Sequence, residues 1–213
     1  GAKMQFWGDI VSSDPEALRQ IPPGSVLLEW GYEADSPFAQ KGAQYDQLGV
    51  RYYVCPGTSS WNSIMGRTEN ALLNIFNAAQ SAAAHGGGGL LVTDWGDNGH
   101  LQPLPSSYLG ILAAADFSWN PNPNYPSMAS PAQARLRFGD AISRLVLRDS
   151  SLTVGRVLVE AGGVFRSVGR VPISNRSPLF NLVVLPNRAS ASPLVEFGYE
   201  AEKEGLSHTL ATL

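Results

Sequence analysis

A chain of 213 residues with 44% hydrophobic content is long enough to bury one substantial core, and its length accommodates one or two domains. A net charge of −3, with no run of Lys or Arg able to track phosphates, argues against nucleic acid, and no uninterrupted apolar run reaches the roughly 20 residues that span a bilayer. The single cysteine, Cys55, excludes an intrachain disulfide and leaves the compartment open between bacterial cytoplasm and secretion.

Four strand-length apolar runs, over 4–7, 26–30, 51–55 and 90–93, organise the first half, and helices are predicted between them. Asp14-Pro15-Glu16 is a helix start, with an N-cap acceptor, proline at the first helical position and an acid in the first turn. A second helix is predicted over 38–48. A third, over about 68–84, carries Leu72, Leu73, Ile75, Phe76 and Ala79 as one apolar stripe, and the glycines at 86–89 stop it. Strand and helix alternating in this way predict a parallel sheet with crossover helices. A helix over 108–115 ends before Phe117-Ser118-Trp119, and 120–130, rich in Pro and Asn, reads as a linker. Beyond it, 131–147 and 151–160 read as helices, and Ser192-Pro193 opens a last one towards Thr212, weakened by Gly198 and Gly205. The division is therefore 1–119 for the β/α part and 120–213 for the linker and a mainly helical segment.

All four strands end alike. Trp7-Gly8-Asp9, Trp30-Gly31-Tyr32-Glu33, the 55–62 stretch closing on Trp61-Asn62, and Asp94-Trp95-Gly96-Asp97 followed by His100 each place an indole and polar partners just past a strand. Ligand sites of parallel α/β folds lie at those carboxyl ends. An indole face packs on the apolar face of a pyranose while a carboxylate accepts from its hydroxyls, so the pattern points to a carbohydrate ligand bound by Trp7, Asp9, Trp30, Glu33, Trp61, Asn62, Asp94, Trp95, Asp97 and His100. The plainer reading is that the indoles cap the sheet as core.

These strand ends together resemble the last four strands of a glycoside hydrolase family 20 barrel, that of the bacterial β-N-acetylhexosaminidases and their relatives, over roughly Gln5 to Trp119. The resemblance implies half of a (β/α)8 TIM-type barrel followed by a mainly helical segment. It implies that Trp95 walls the terminal sugar subsite and that Asp97, in place of the family's Glu, binds sugar hydroxyls. Trp7 and Trp30 match the aromatic walls of the preceding strands, assisted by Asp9 and Glu33. Where the family holds the acetamido carbonyl with a Tyr beside an Asp, this chain has Trp61, Asn62 and Ser63. Family members hydrolyse with the substrate's own 2-acetamido group as nucleophile and an adjacent Asp-Glu pair, one member of which is the general acid. No adjacent Asp-Glu occurs here, so no catalytic residue is assigned in this chain, which on this reading is the C-terminal part of such an enzyme, inactive when isolated. The alternative is a non-catalytic carbohydrate-binding or interaction module.

No cofactor or metal is called for. Asp94-x-Gly96-x-Asn98-Gly99 superficially matches a calcium loop, but Gly96 replaces a ligand and Pro105 stands where the bidentate Glu belongs. His85, His100 and His208 lack metal-site spacing, and Cys55 has His100 as its one candidate base, with strand-end packing the plainer role. Arg67 reads as an anchor for the loop over 58–63. A half-barrel exposes two strand edges, so a homodimer covering them is expected.

Overall fold

β1 (Gln5–Trp7), β2 (Val26–Trp30) and β3 (Tyr52–Cys55) form a parallel sheet in the order β1-β2-β3. Phe6 lies opposite Leu27, and Leu28 opposite Tyr53. The computed structural model describes residues 3–122, 130–164, 174–177 and 179–180, and within these the architecture is mixed α/β with six α-helices. The crossovers are α1 (Pro15–Arg19), α2 (Phe38–Leu48) and α3 (Thr68–Ala84). The Asp14 carboxylate caps α1 by accepting from the Glu16 amide at 2.9 Å, as the sequence predicts, and Gly49 ends α2 in the left-handed conformation at φ 67°.

The predicted fourth strand is present only as two parallel bridges, Val54 to Leu90 and Gly57 to Thr93. The cause is Pro56. The Val54 amide donates to Gly89 O at 3.0 Å and Leu91 N to Val54 O at 3.0 Å, the start of a regular parallel ladder. The next donor would be the amide of residue 56, which proline lacks. Pairing resumes one step on, with Thr93 N donating to Pro56 O and Thr58 N to Thr93 O, both at 2.9 Å.

Strand alternation sends Leu27, Tyr52 and Val54 towards the helices, where they bury with Leu18, Phe38, Tyr45, Ala78 and Ala82. Val26, Leu28 and Cys55 form the small core of the opposite face. A second cluster joins α3 to α4 (Tyr108–Trp119), α5 (Pro131–Ala141) and α6 (Thr153–Ala161), with Leu72, Ile75, Leu109, Phe117, Phe138 and Val159 at its centre. α3 thus serves both cores. Its burial is broader than the expected stripe, which is why Asn70 and Asn74 are inside, while Leu73 is 39% exposed.

Past residue 100 the boundaries differ from expectation. α4 runs on through Phe117-Ser118-Trp119, because Phe117 is wholly buried and stacks edge-on against Phe76 and Phe138. α5 passes into a π-helical turn, Ile142–Leu147, that ends in Arg148 with φ 54°. α5 and α6 cross closely enough that a Cβ on Gly139 would lie 2.9 Å from Arg156 Cα, so this position requires glycine. Most of the predicted linker and the predicted helix after Ser192-Pro193 lie outside the described residues.

Candidate functional site

The carboxyl ends of the strands surround a hollow of about 320 Å³ lined by Trp7, Asp9, Trp30, Tyr32, Trp95, Asp97 and Asn175. Trp7 and Trp30 are the last residues of β1 and β2, and Trp95 follows the 90–93 segment, so the strands themselves carry the rings to one rim. The three indoles are 40%, 41% and 37% exposed respectively.

Ring packing fixes the walls. Trp30 stacks on Tyr32 with centroids 5.2 Å apart and planes at 22°, while Trp7 and Trp95 meet at 5.9 Å and 49°. Trp95 Nε1 donates to the Tyr32 hydroxyl at 2.8 Å, and Trp30 Nε1 reaches Asp9 Oδ1 at 3.4 Å. Burial lifts the Tyr32 phenol above its ordinary value and the Asp97 charge adds to the rise, so it remains a neutral hydroxyl at physiological pH. Behind the rim, Glu29 accepts from the buried Tyr45 hydroxyl, and burial raises its own carboxyl.

The remaining predicted site residues lie outside the lining of the hollow, and Trp61, Asn62, Asp94 and Glu33 fasten the rim. Trp61 is 1% exposed and stands edge-on to Tyr32 at 5.0 Å and 89°, supporting the wall from within. Its place depends on Gly57, where a Cβ would run into the Trp61 ring. Asn62 is buried in a left-handed turn at φ 52°, accepting from Asn98 Nδ2 at 2.8 Å and donating to Asn175 O at 3.2 Å. The Asp94 carboxylate accepts from the Thr58 and Ser60 hydroxyls, each at 2.6 Å, which pins the loop over 58–63 to the strand end. Glu33 takes a bidentate pair from Arg67 at 2.9 and 3.1 Å and also accepts from Asn175 N at 2.6 Å. Arg67 does anchor the loop over 58–63, but through its backbone amide on Ser59 O at 3.0 Å. His100 sits at φ 54° on the exposed 3-10 turn after Asp97–Gly99, close against Gly96. The Cys55 thiol is buried and pushed up to about 12, which removes it as a nucleophile at neutral pH.

Tyr32 and Asn175 line the hollow although neither is among the residues that the strand-end pattern singles out. Equally unforeseen are three asparagines on α3. Asn70 accepts from Ala34 N at 2.9 Å and donates to Tyr32 O and Ser59 Oγ; Asn74 accepts from Gly57 N at 3.1 Å and donates to Gly31 O and Glu33 O. Asn77 donates to Ala34 O and Ser36 O. These side chains supply the backbone partners that the loop carrying Tyr32 cannot find in a sheet. Their signal in the sequence is the i, i+4, i+7 spacing of asparagine on an otherwise apolar helix face.

Among the described residues no group of three His, Cys, Asp or Glu is placed to hold a metal ion, and no helix is long and apolar enough to cross a membrane. Compared with known proteins, the chain matches no family model and no curated protein.

Proposed function

We propose that the strand-end hollow binds a saccharide ring, and that this chain is the C-terminal part of a glycoside hydrolase of the hexosaminidase type, contributing sugar-binding walls to an enzyme that acts on N-acetylhexosaminides. One observation carries this reading: the indoles of Trp7, Trp30 and Trp95 and the carboxylates of Asp9 and Asp97 line one cavity at the carboxyl ends of parallel strands. The volume of about 320 Å³ is at the lower end of that usual for small-ligand pockets and suits a single pyranose. The sequential parallel order of β1, β2, β3 and residues 90–93 supports a half-barrel arrangement. β1 is an edge strand among the described residues, so a second copy covering it is part of the proposal; sedimentation as a compact monomer would remove that part. A non-catalytic carbohydrate-binding module is the second reading, favoured by the lack of an adjacent Asp-Glu pair.

Tryptophan fluorescence titrated with a hexosamine or its N-acetyl derivative tests the site. A saturable change is expected, lost in Trp95→Ala and retained in Trp119→Ala, whose indole is 90% exposed on α4 and does not line the hollow. No saturable change with any monosaccharide, or a change lost only with Trp119, overturns the reading.

A further inference from the structure

The charge of the lining limits which N-acetylhexosamines the hollow takes, an inference that rests on the saccharide reading above. Asp9 follows β1 and Asp97 follows the 90–93 segment, the two opposite sides of the parallel arrangement, yet both line the same hollow. The rings show how the two sides meet. Trp7 and Trp95 approach to 5.9 Å, and from Trp95 the wall continues through the Tyr32 hydroxyl and the stacked Trp30 ring to Asp9. No Lys, Arg or His lines the hollow among the described residues, and Arg67, at the same strand ends, has its guanidinium committed to both Glu33 oxygens. The two carboxylates therefore have no counter-charge in the lining.

An uncharged saccharide suits such a lining. Its hydroxyls donate to carboxylates, its C–H faces pack on indoles, and an acetamido substituent adds no charge. A sulfate, phosphate or carboxylate substituent makes the opposite demand, for a cation or for several free N–H donors. Two of the three indole N–H groups are already spent, Trp30 on Asp9 and Trp95 on the Tyr32 hydroxyl. The anion would instead share a cavity of about 320 Å³ with Asp9 and Asp97, and like charges held together without a counter-charge repel. A hollow of that volume is roughly 8 Å across, about one Debye length at physiological salt, so no orientation of the sugar screens its anion from both acids.

We infer that the hollow selects uncharged N-acetylhexosamines against their sulfated or acidic counterparts, with Asp9 and Asp97 as the excluding groups. The full chain is titrated by calorimetry at neutral pH, in low and in high salt, with three probes. These are N-acetylglucosamine, N-acetylglucosamine sulfated on its hydroxymethyl group, and N-acetylmuramic acid, so that the charge sits at two different places on the ring. At low salt N-acetylglucosamine is expected to bind roughly tenfold more tightly than either anion, a modest share of what a like-charge contact costs in a closed interface. That ratio should fall towards one in high salt, and also in Asp97→Asn and in Asp9→Asn. Equal affinity for the three probes, or tighter binding of an anion, overturns the inference and leaves the saccharide site standing. A gap that neither salt nor either substitution narrows is one of size, not charge, and overturns it in the same way. Binding of none of the three overturns the saccharide reading and the inference with it.

Discussion

The strand-end rim and the α4–α6 unit differ in what they bury. Around α5 and α6 the buried groups are apolar, Phe117, Phe138 and Val159, while Leu145 and Trp119 stay in water beside charges that pair outside, Arg135 with Glu160 at 3.0 Å and Arg137 with Asp116 at 2.8 Å. At the rim the buried groups are polar. Thr58, Ser59, Ser60 and Asn62 are buried, while Trp7, Trp30 and Trp95 are exposed. Burying so many polar groups costs free energy unless each finds a partner, and leaving indoles in water forgoes their transfer gain. The rim is thus held together by buried hydrogen bonds, and the α5–α6 side by apolar packing.

Truncating one key residue on each side should break the comparison most sharply. Asn74 is fully buried and satisfies Gly57 N, Gly31 O and Glu33 O, so Asn74→Ala strands three backbone groups at once. The expected loss is about 3 kcal/mol in urea unfolding, from the desolvation penalty of each orphan. Phe138→Ala, in the helical core, should cost a similar amount, on the order of 3–5 kcal/mol, through the cavity it leaves. The two differ in what survives. Folded Phe138→Ala keeps the sugar-dependent fluorescence change, whereas Asn74→Ala loses it, because the loop that carries Tyr32 is no longer held. Equal loss in both variants would mean that the rim is not an independently fastened feature.

This contrast also explains what could be read in advance. The strands and α1 to α3 were legible because their starts and stops are written locally, in Asp14-Pro15, in the apolar runs and in the glycines at 86–89. That indoles gather at one rim followed from strand polarity alone. Which indole faces outwards did not. Trp61 has the same strand-end placement as the others, yet Gly57 leaves room for its ring to turn inside, a matter of tertiary space that spacing does not encode. That Glu33 and Asp94 are engaged within the rim was hidden for a related reason: the partners that claim them, Arg67 for the one and Thr58 and Ser60 for the other, lie 34 to 36 residues away in the chain. Asn175 carried no local signal. The broken fourth strand had one, Pro56, whose missing donor matters only once its neighbour across the ladder is known.

A smaller effect is expected on the helical side, in its dependence on acid. Asp149 accepts from the Ser151 hydroxyl at 2.6 Å and from the amides of Val154 and Ser151, each at 2.9 Å, so its carboxylate closes the turn that starts α6. Those bonds, the Ser151 hydroxyl first, hold its carboxyl down from 3.8 to about 2. A carboxyl whose value is depressed on folding stabilises the folded state above its unfolded value, and the contribution fades as pH drops through the folded one. Wild type should therefore exceed Asp149→Asn in thermal stability at neutral pH, with the gap closing between pH 3.8 and about 2. The amide keeps one acceptor oxygen and cannot serve all three donors, so a modest gap is expected, small beside that of Asn74→Ala. The rim supplies the control: at the same low pH, the fluorescence of Trp95 and its neighbours should not differ between the two proteins. A gap that stays constant across the acid range would show that the turn is held by its backbone alone, through Asp149 N on Ser143 O at 2.8 Å.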